Sequence, residues 1–197
     1  MLSSNDSYEK LSIIEDGSHG LLKLSTIARH GGNRKTKIVN NFIGVLEAAD
    51  STTVLQLCQE LNKRLPAVTN DEVVVGMYKS GIIMAGYLAL ARGTRFTWST
   101  PDEYGDTSQV IKYAEDHHVA ATHHFYGLKP GDKVVLVEDE VTSGKGLVGL
   151  VELLRSKDIE VITICSMLET VNFGGRELIK NSTGIELISL AKLELGN

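Results

Sequence analysis

The feature that most restricts the fold is the passage from Lys133–Val137 (KVVLV) into Glu138–Gly146 (EDEVTSGKG). A nearly all-apolar pentamer reads as a strand buried on both faces, the setting of a central strand in a parallel sheet. The segment behind the loop places Leu147, Leu150, Val151 and Leu154 on one helical face. A second unit of the same kind follows Glu72–Val75 (EVVV), with a glycine-bounded turn Gly76–Gly81 and a helix over Ile82–Ala91. Two strand–loop–helix units of this length call for helices on both faces of a mainly parallel sheet.

The rest of the chain fits that frame. Asp50 or Ser51 caps a helix carrying Val54, Leu57, Cys58, Leu61 and Leu65, and Pro66 ends it. Further strands are expected at Arg95–Ser99, Val161–Leu168 and Ile185–Leu190, with a short helix at Gly175–Asn181. Residues 100–127 are polar and weakly patterned. Before residue 46 the texture changes. His19–Ile27 and Lys37–Ile43 read as short strands around a basic, glycine-containing loop, Arg29–Lys37. That loop is a solvated hairpin tip or an anion-contacting flap. The expected fold class is therefore α/β, with a doubly wound, mainly parallel sheet in residues 46–197 and a small strand-rich flap in residues 1–45, together one compact domain.

Composition narrows the function. The chain has 197 residues, 42% hydrophobic and 23% charged, which suits one soluble globular domain. Twenty basic against 25 acidic residues give a net charge of −5, so coating of nucleic acid is not expected. Cys58 and Cys165 stand apart in apolar runs and read as two buried, reduced thiols. The polar N-terminus (MLSSNDSYEK) lacks the pattern of a signal peptide, so a cytoplasmic location is expected. The most apolar stretch, Val73–Ala91, is broken by Lys79, Ser80 and three glycines, so no membrane span is expected.

The Glu138–Gly146 loop carries chemistry at both ends. Backbone N–H groups at a helix N-terminus, with glycines allowing close approach, form an anion site, and Thr142 and Ser143 add hydroxyl donors. Glu138 and Asp139 at the strand end suit sugar hydroxyls or a cation. A phosphorylated ribose satisfies both ends. Gly144, Gly146 and Gly149 also spell G-x-G-x-x-G, with Glu169 ending the next strand. A dinucleotide fingerprint would place its first glycine directly after the strand, whereas six residues, two of them acids at the strand end, intervene here. A Walker A loop fails because Gly146 stands where Ser or Thr is needed.

The string closely resembles the 5-phosphoribosyl-1-pyrophosphate (PRPP) motif of type I phosphoribosyltransferases. The resemblance implies that Glu138 and Asp139 contact the ribose, and that Thr142, Ser143, Gly144, Lys145 and Gly146 cradle the 5′-phosphate. Glu140 replaces a residue that is usually apolar. Gly76–Gly81 resembles the pyrophosphate loop of the orotate enzymes, which assigns Tyr78, Lys79 and Ser80 to the pyrophosphate, with Met77 where that family is less bulky. Ile111–His118 resembles their mobile catalytic loop. Lys112 and His117 fall where that loop has a lysine and a histidine, while Ile111 and Glu115 replace basic residues; His123 and His124 are substitutes for the lost charge. Four histidines in Asp116–His124 also admit a metal reading, without an established ligand spacing.

Leu168–Arg176 resembles a segment whose arginine holds the orotate carboxylate, and Thr170 occupies that position. The flap would then cover the base, with Lys23, Arg34, Lys35 or Lys37 near it; Lys23 and Thr170 are the base-side residues singled out. The implied activity joins a nitrogenous base to PRPP with release of pyrophosphate. Glu138, Asp139, Lys112 and His117 form the catalytic set, Mg²⁺ arrives with PRPP without an assigned protein ligand, and the family pattern is a homodimer. Orotate is the first acceptor to consider. A purine or unusual acceptor, or a non-catalytic PRPP-binding regulator, is the alternative.

Overall fold

The structure is a computed structural model that describes residues 10–28, 36–45, 47–105, 110–115 and 121–196. Its main sheet has eight strands in the order β1-β10-β9-β8-β4-β5-β7-β6. Five neighbours run parallel: β10 (Leu187–Gly196), β9 (Glu160–Thr170), β8 (Lys133–Val141), β4 (Glu72–Gly76) and β5 (Arg95–Thr100). Antiparallel strands extend both edges, β1 (Lys10–Asp16) beside β10, and β7 (Ala121–Phe125) with β6 (Ile111–Glu115) beside β5.

Helices cover both faces. Helices α1 (Ser51–Asn62) and α2 (Gly81–Arg92) close one core, where Leu57, Leu61, Met84 and Leu88 meet Val74, Val135 and Val137. Helices α3 (Lys145–Arg155) and α4 (Gly175–Thr183) close the other, where Leu147, Leu150, Leu154 and Ile179 meet Val73, Val75, Val134 and Leu136. Alternate residues of β4 and β8 thus feed opposite cores, as the unbroken apolar runs required. Each fully buried Leu or Val contributes about 1.5–3 kcal/mol. The doubly wound, mainly parallel sheet is as expected.

Local chemistry explains the element ends. The Asp50 carboxylate accepts from the Thr53 N–H at 2.8 Å and its hydroxyl at 2.6 Å, capping α1. Gly93, at φ 68°, ends α2. A buried pair joins three elements: Arg92 at the end of α2 donates to both carboxylate oxygens of Glu72 at 2.6 and 2.7 Å, and also to Asn62, the last residue of α1. Removing one partner of such a pair costs about 3–5 kcal/mol, because the other charge stays buried. Cys58 and Cys165 are free and buried, and burial raises both thiols, Cys58 to about 12.

The N-terminal region departs from expectation in two places. β1 belongs to the main sheet, so residues 1–45 are not wholly a separate flap. The strand expected over His19–Ile27 begins only at Leu24. Before it, Asp16 and Ser18 hold a turn through N–H bonds from Ser18 and Leu22, and His19 and Gly20 take φ 53° and 81°, which no strand accommodates. The hairpin itself forms from β2 (Leu24–Ala28) and β3 (Thr36–Asn40), and Asn40 ends it by accepting from the Phe42 and Ile43 N–H groups. Leu22, Ile38 and Phe42 tie the hairpin region to the core under α1 and α2.

A further departure lies at residues 111–115. They form β6, a sheet strand with Ile111 buried, and not a loop. The weak apolar pattern of this edge strand and the two histidines in β7 hid the pair. His117 lies outside the described residues, as do Arg34 and Lys35. Among the described residues no helix is long and apolar enough to cross a membrane, and Val73–Ala91 divides into β4, a turn and α2.

Candidate phosphate and ribose site

Both glycine loops emerge at the carboxyl ends of adjacent parallel strands, where open α/β sheets bind ligands. They touch. The Met77 N–H donates to the Val137 carbonyl at 2.9 Å. A Cβ on Gly81 would lie 2.5 Å from that same oxygen, so α2 starts this close to β8 only because residue 81 is glycine. The Tyr78–Lys79 peptide is cis, and the Tyr78 N–H donates to Ser99 Oγ at 2.8 Å.

The alternation of β8 continues past its apolar run and sorts the acids. Val134 and Leu136 face α3, and so do Glu138 and Glu140, which line a pocket of about 160 Å³. Val135 and Val137 face the other core, and Asp139 follows them to meet the Ser80 hydroxyl. Burial first, and the Glu140 charge second, push the Asp139 carboxyl above its ordinary range, while the bond from Ser80 opposes them.

Thr142, Ser143, Gly144, Lys145 and Gly146 complete the pocket, together with Met77, Tyr113, Val141 and Leu147. Gly144 precedes α3 with φ 67°, a conformation that favours glycine. Helix α4 presses on the back of the loop: a Cβ on Gly175 would sit 2.0 Å from the Thr142 carbonyl oxygen, and one on Gly144 would sit 2.9 Å from Ile179. The start of α4 is itself fastened by Arg176, which pairs with buried Glu169 and donates to the Leu187 carbonyl at 2.6 Å. The first-turn N–H groups of α3 thus face a concave, fixed loop, the arrangement that binds a phosphate.

Tyr113 and Met77 are additions that the sequence did not reveal. Tyr113 reaches from β6 to donate to the Gly146 carbonyl at 2.7 Å, and Gly149 makes room for it, since a Cβ there would lie 2.8 Å from its hydroxyl. The third glycine of the G-x-G-x-x-G string therefore serves a tyrosine. The only available signal was that Tyr113 stands two residues after Ile111 in a strand-like alternation.

The other expected residues are distributed as follows. Tyr78 and Lys79 are exposed at the mouth of the β4 loop, with Lys79 Nζ 5.6 Å from the Tyr78 ring centre. Lys112 is exposed on β6 and paired with Glu103 at 2.5 Å, opposite His124 in the ladder. His123 and His124 are buried in β7; the His124 ring lies 3.9 Å from Glu103, and the His123 ring is 6.4 Å from that of Tyr78. Lys23 sits beside Asn41 at the base of the N-terminal hairpin, does not line the pocket, and is exposed, as is Lys37. Thr170 is buried behind the pocket wall and donates to Glu140 at 2.5 Å, so it is not placed as a surface contact for a base.

A phosphate cradle at a helix start, acids at the preceding strand end and a second glycine loop beside them describe a site for a phosphorylated sugar. A family model for phosphoribosyl transferases matches residues 24–194, and the chain belongs to that family. The adenine phosphoribosyltransferase of Neorhizobium galegae is 30% identical over 124 residues, covering 60% of this chain and 66% of that protein. The hypoxanthine/guanine phosphoribosyltransferase of Methanobacterium lacus is 25% identical over 126 residues, covering 64% and 65%. The match thus spans just under two thirds of the length of these relatives.

Among solved structures, adenine phosphoribosyltransferase from Giardia lamblia, complexed with 9-deazaadenine, superposes with a TM-score of 0.67 at 20% identity, over 90% of this chain and 98% of that one. The Trypanosoma brucei enzyme, in complex with AMP, pyrophosphate and ribose-5-phosphate, gives 0.68 at 12% identity, over 98% and 82%. These likenesses show the fold. The finer resemblance to orotate enzymes is not what these relatives carry: their names are those of purine enzymes.

Proposed function

We propose that this protein transfers the 5-phosphoribosyl group of PRPP to a purine base and releases pyrophosphate. The observation that carries the reading is the pocket at the end of β8, which joins carboxylates and a helix-start phosphate cradle in one cavity. The purine-enzyme relatives favour a purine over orotate.

In this reading Thr142–Gly146 hold the 5′-phosphate through backbone N–H groups and hydroxyls. Glu138 and Asp139 hold the ribose and favour the positive charge that develops at its anomeric carbon. The bond from that carbon to the pyrophosphate oxygen breaks, its electron pair leaves with pyrophosphate, and a ring nitrogen of the base forms the new bond and gives up its proton. Lys79 and Ser80, on the β4 loop that follows Met77, receive the pyrophosphate, and Lys112 reaches it once released from Glu103. His117, outside the described residues, is the candidate for proton handling or loop closure. Among the described residues no cluster of three His, Cys, Asp or Glu is built to hold a metal. Mg²⁺ binds commonly through one or two carboxylates plus substrate phosphates, and Glu138, on the pocket face of β8, would offer one. When bound, it neutralises charge on the pyrophosphate. The N-terminal hairpin would cover the base, and a homodimer belongs to the same proposal.

One observation favours a second reading, a PRPP-binding regulator without turnover: Ile111 is buried in the sheet and Lys112 is already paired with Glu103. Pyrophosphate release from PRPP and Mg²⁺, measured separately with adenine, hypoxanthine, guanine, xanthine, uracil and orotate, decides. Release with a purine is the expected result. Binding of PRPP without release from any base would favour the regulator, and no binding would reject the family's activity for this chain.

A further inference from the structure

We infer that the outward face of α2, with the open side of β5 beside it, is where a second copy of this chain docks, and that docking braces the loop between β4 and α2. The surface stands on packing alone. Its bearing on pyrophosphate rests on the phosphoribosyl-transfer reading above.

Helix α2 is apolar all round. Gly81–Ala91 (GIIMAGYLALA) holds no charged residue, and Arg92, the one charge of the helix, is buried against Glu72. A helix of that composition is normally covered on every side. Met84, Ala85, Leu88 and Ala89 form its core stripe. A second apolar stripe, Ile83, Gly86, Tyr87 and Leu90, runs at the i, i+3, i+4, i+7 spacing of a helix seam. Ile83 is 39% and Leu90 69% exposed, so the described residues leave this stripe open. Beside it, Phe96 and Trp98 are 48% and 43% exposed, with ring centres 5.9 Å apart. The Ser99–Phe125 pairing brings Tyr126 next to Trp98, and the exposed Tyr104 ring lies 5.4 Å beyond it.

Gly86 is a second, independent observation. A glycine inside a helix costs stability relative to alanine. Gly81 and Gly175 are needed by the fold, since a Cβ there would lie 2.5 and 2.0 Å from backbone oxygens. A Cβ on Gly86 would meet only the Phe96 ring, at 3.9 Å, an ordinary contact. The notch at Gly86 is therefore unused within the chain, and it lies in the middle of the open stripe.

Area, charge and symmetry point to the occupant. An aromatic side chain carries about 150–250 Å², so at these exposures Ile83, Leu90, Phe96, Trp98 and Tyr104 present about 400–500 Å² of apolar surface. That matches the apolar share, rather more than half, of the about 800 Å² that each partner buries in a standard interface. The stripe carries no charge, so two chains of net charge −5 meet there without local repulsion. Its spacing is also symmetric about its own middle. A two-fold axis between Gly86 and Tyr87 lays two α2 helices antiparallel. Ile83 then meets Leu90 of the partner subunit, and Tyr87 of the partner subunit fills the Gly86 notch. Such a self-complementary contact is the commonest kind in homo-oligomers. Ile83 stands two residues after Gly81, where the β4 loop ends, so a second copy on this face holds the end of that loop from outside.

Sedimentation velocity tests the face without any substrate. The wild type is expected at the mass of two chains. Leu90→Lys places a charge at an exposed position and should weaken the dimer by about 100-fold or more, with circular dichroism unchanged. Gly86→Ala fits the chain's own fold, so its melting temperature should hold while the dimer weakens by about ten-fold. Trp98, the sole tryptophan, gives a second readout: its emission should shift to the red in Leu90→Lys. Calorimetry with pyrophosphate should show binding about ten-fold weaker in that variant. A wild type that is monomeric throughout the micromolar range, or a dimer that both variants leave intact, would overturn the docking face. Unchanged pyrophosphate affinity in a monomeric Leu90→Lys would overturn the bracing of the loop. A wild type that dimerises through this face yet binds no PRPP would instead reject the phosphoribosyl-transfer reading and leave the interface standing.

Discussion

The two loops that open helices at the ends of β4 and β8 look alike in sequence and are supported differently. The β8 loop is fixed from behind by backbone: Gly144 and Gly175 let α4 lie against Thr142, and Tyr113 fastens the first turn of α3 from the far edge of the sheet. The β4 loop is held by the Met77 and Tyr78 N–H groups and by Gly81, while the side chains of Tyr78 and Lys79 stand in solvent. In the proposed reaction the first would cradle the group that stays bound, and the second would present side chains to the group that leaves. The contrast teaches that glycines matter most where a loop is backed by another element, and cations most where it is not.

The largest break in this contrast comes from Gly175→Ala. Its methyl would fall on the Thr142 carbonyl, so the cradle must shift; PRPP affinity should fall by about 100-fold or more in calorimetry, while circular dichroism still reports a folded sheet. A retained affinity would mean that α4 does not hold the loop.

Asp139→Asn comes next and separates function from stability. Turnover should drop about ten-fold or more with PRPP binding largely kept. Stability moves the other way. A carboxyl whose folded-state value is raised favours folding below its ordinary range, and that contribution is lost as pH rises through the raised value. The variant should therefore melt above the wild type at neutral pH, with the gap closing below about pH 3.8. An unchanged rate would remove Asp139 from the chemistry, and an unchanged gap with pH would remove the titration.

The smallest effect is that of Tyr113→Phe, which loses one hydrogen bond, worth about 1 kcal/mol, and keeps the ring. KM for PRPP should rise by about five-fold with kcat nearly constant. Equal loss in both would place the tyrosine in the reaction itself.

Most of the scaffold was legible because its signals are local. The apolar runs of β4 and β8 can only be central strands, Asp50 and Ser51 mark the start of α1, which Asp50 caps, and Glu138–Gly146 carries both ends of the proposed site in one string. Non-local partners were not legible. β1 and β6 are edge strands with only part of one face buried, so their patterns are weak, and Tyr113 came with β6. Thr170 read as a base contact because its neighbours in sequence resemble such a segment, but its hydroxyl is turned inward to Glu140 on the adjacent strand. The acceptor depended on such pairings and so could not be named from motifs alone.

The central claim is that the β8 loop is a PRPP site. Titrating PRPP with Mg²⁺ into the wild-type protein by calorimetry tests it most directly. The account predicts saturable binding that ribose 5-phosphate competes away and that Gly175→Ala weakens. A folded wild-type protein that gives no heat with PRPP, or binds it equally well in Gly175→Ala, would contradict it.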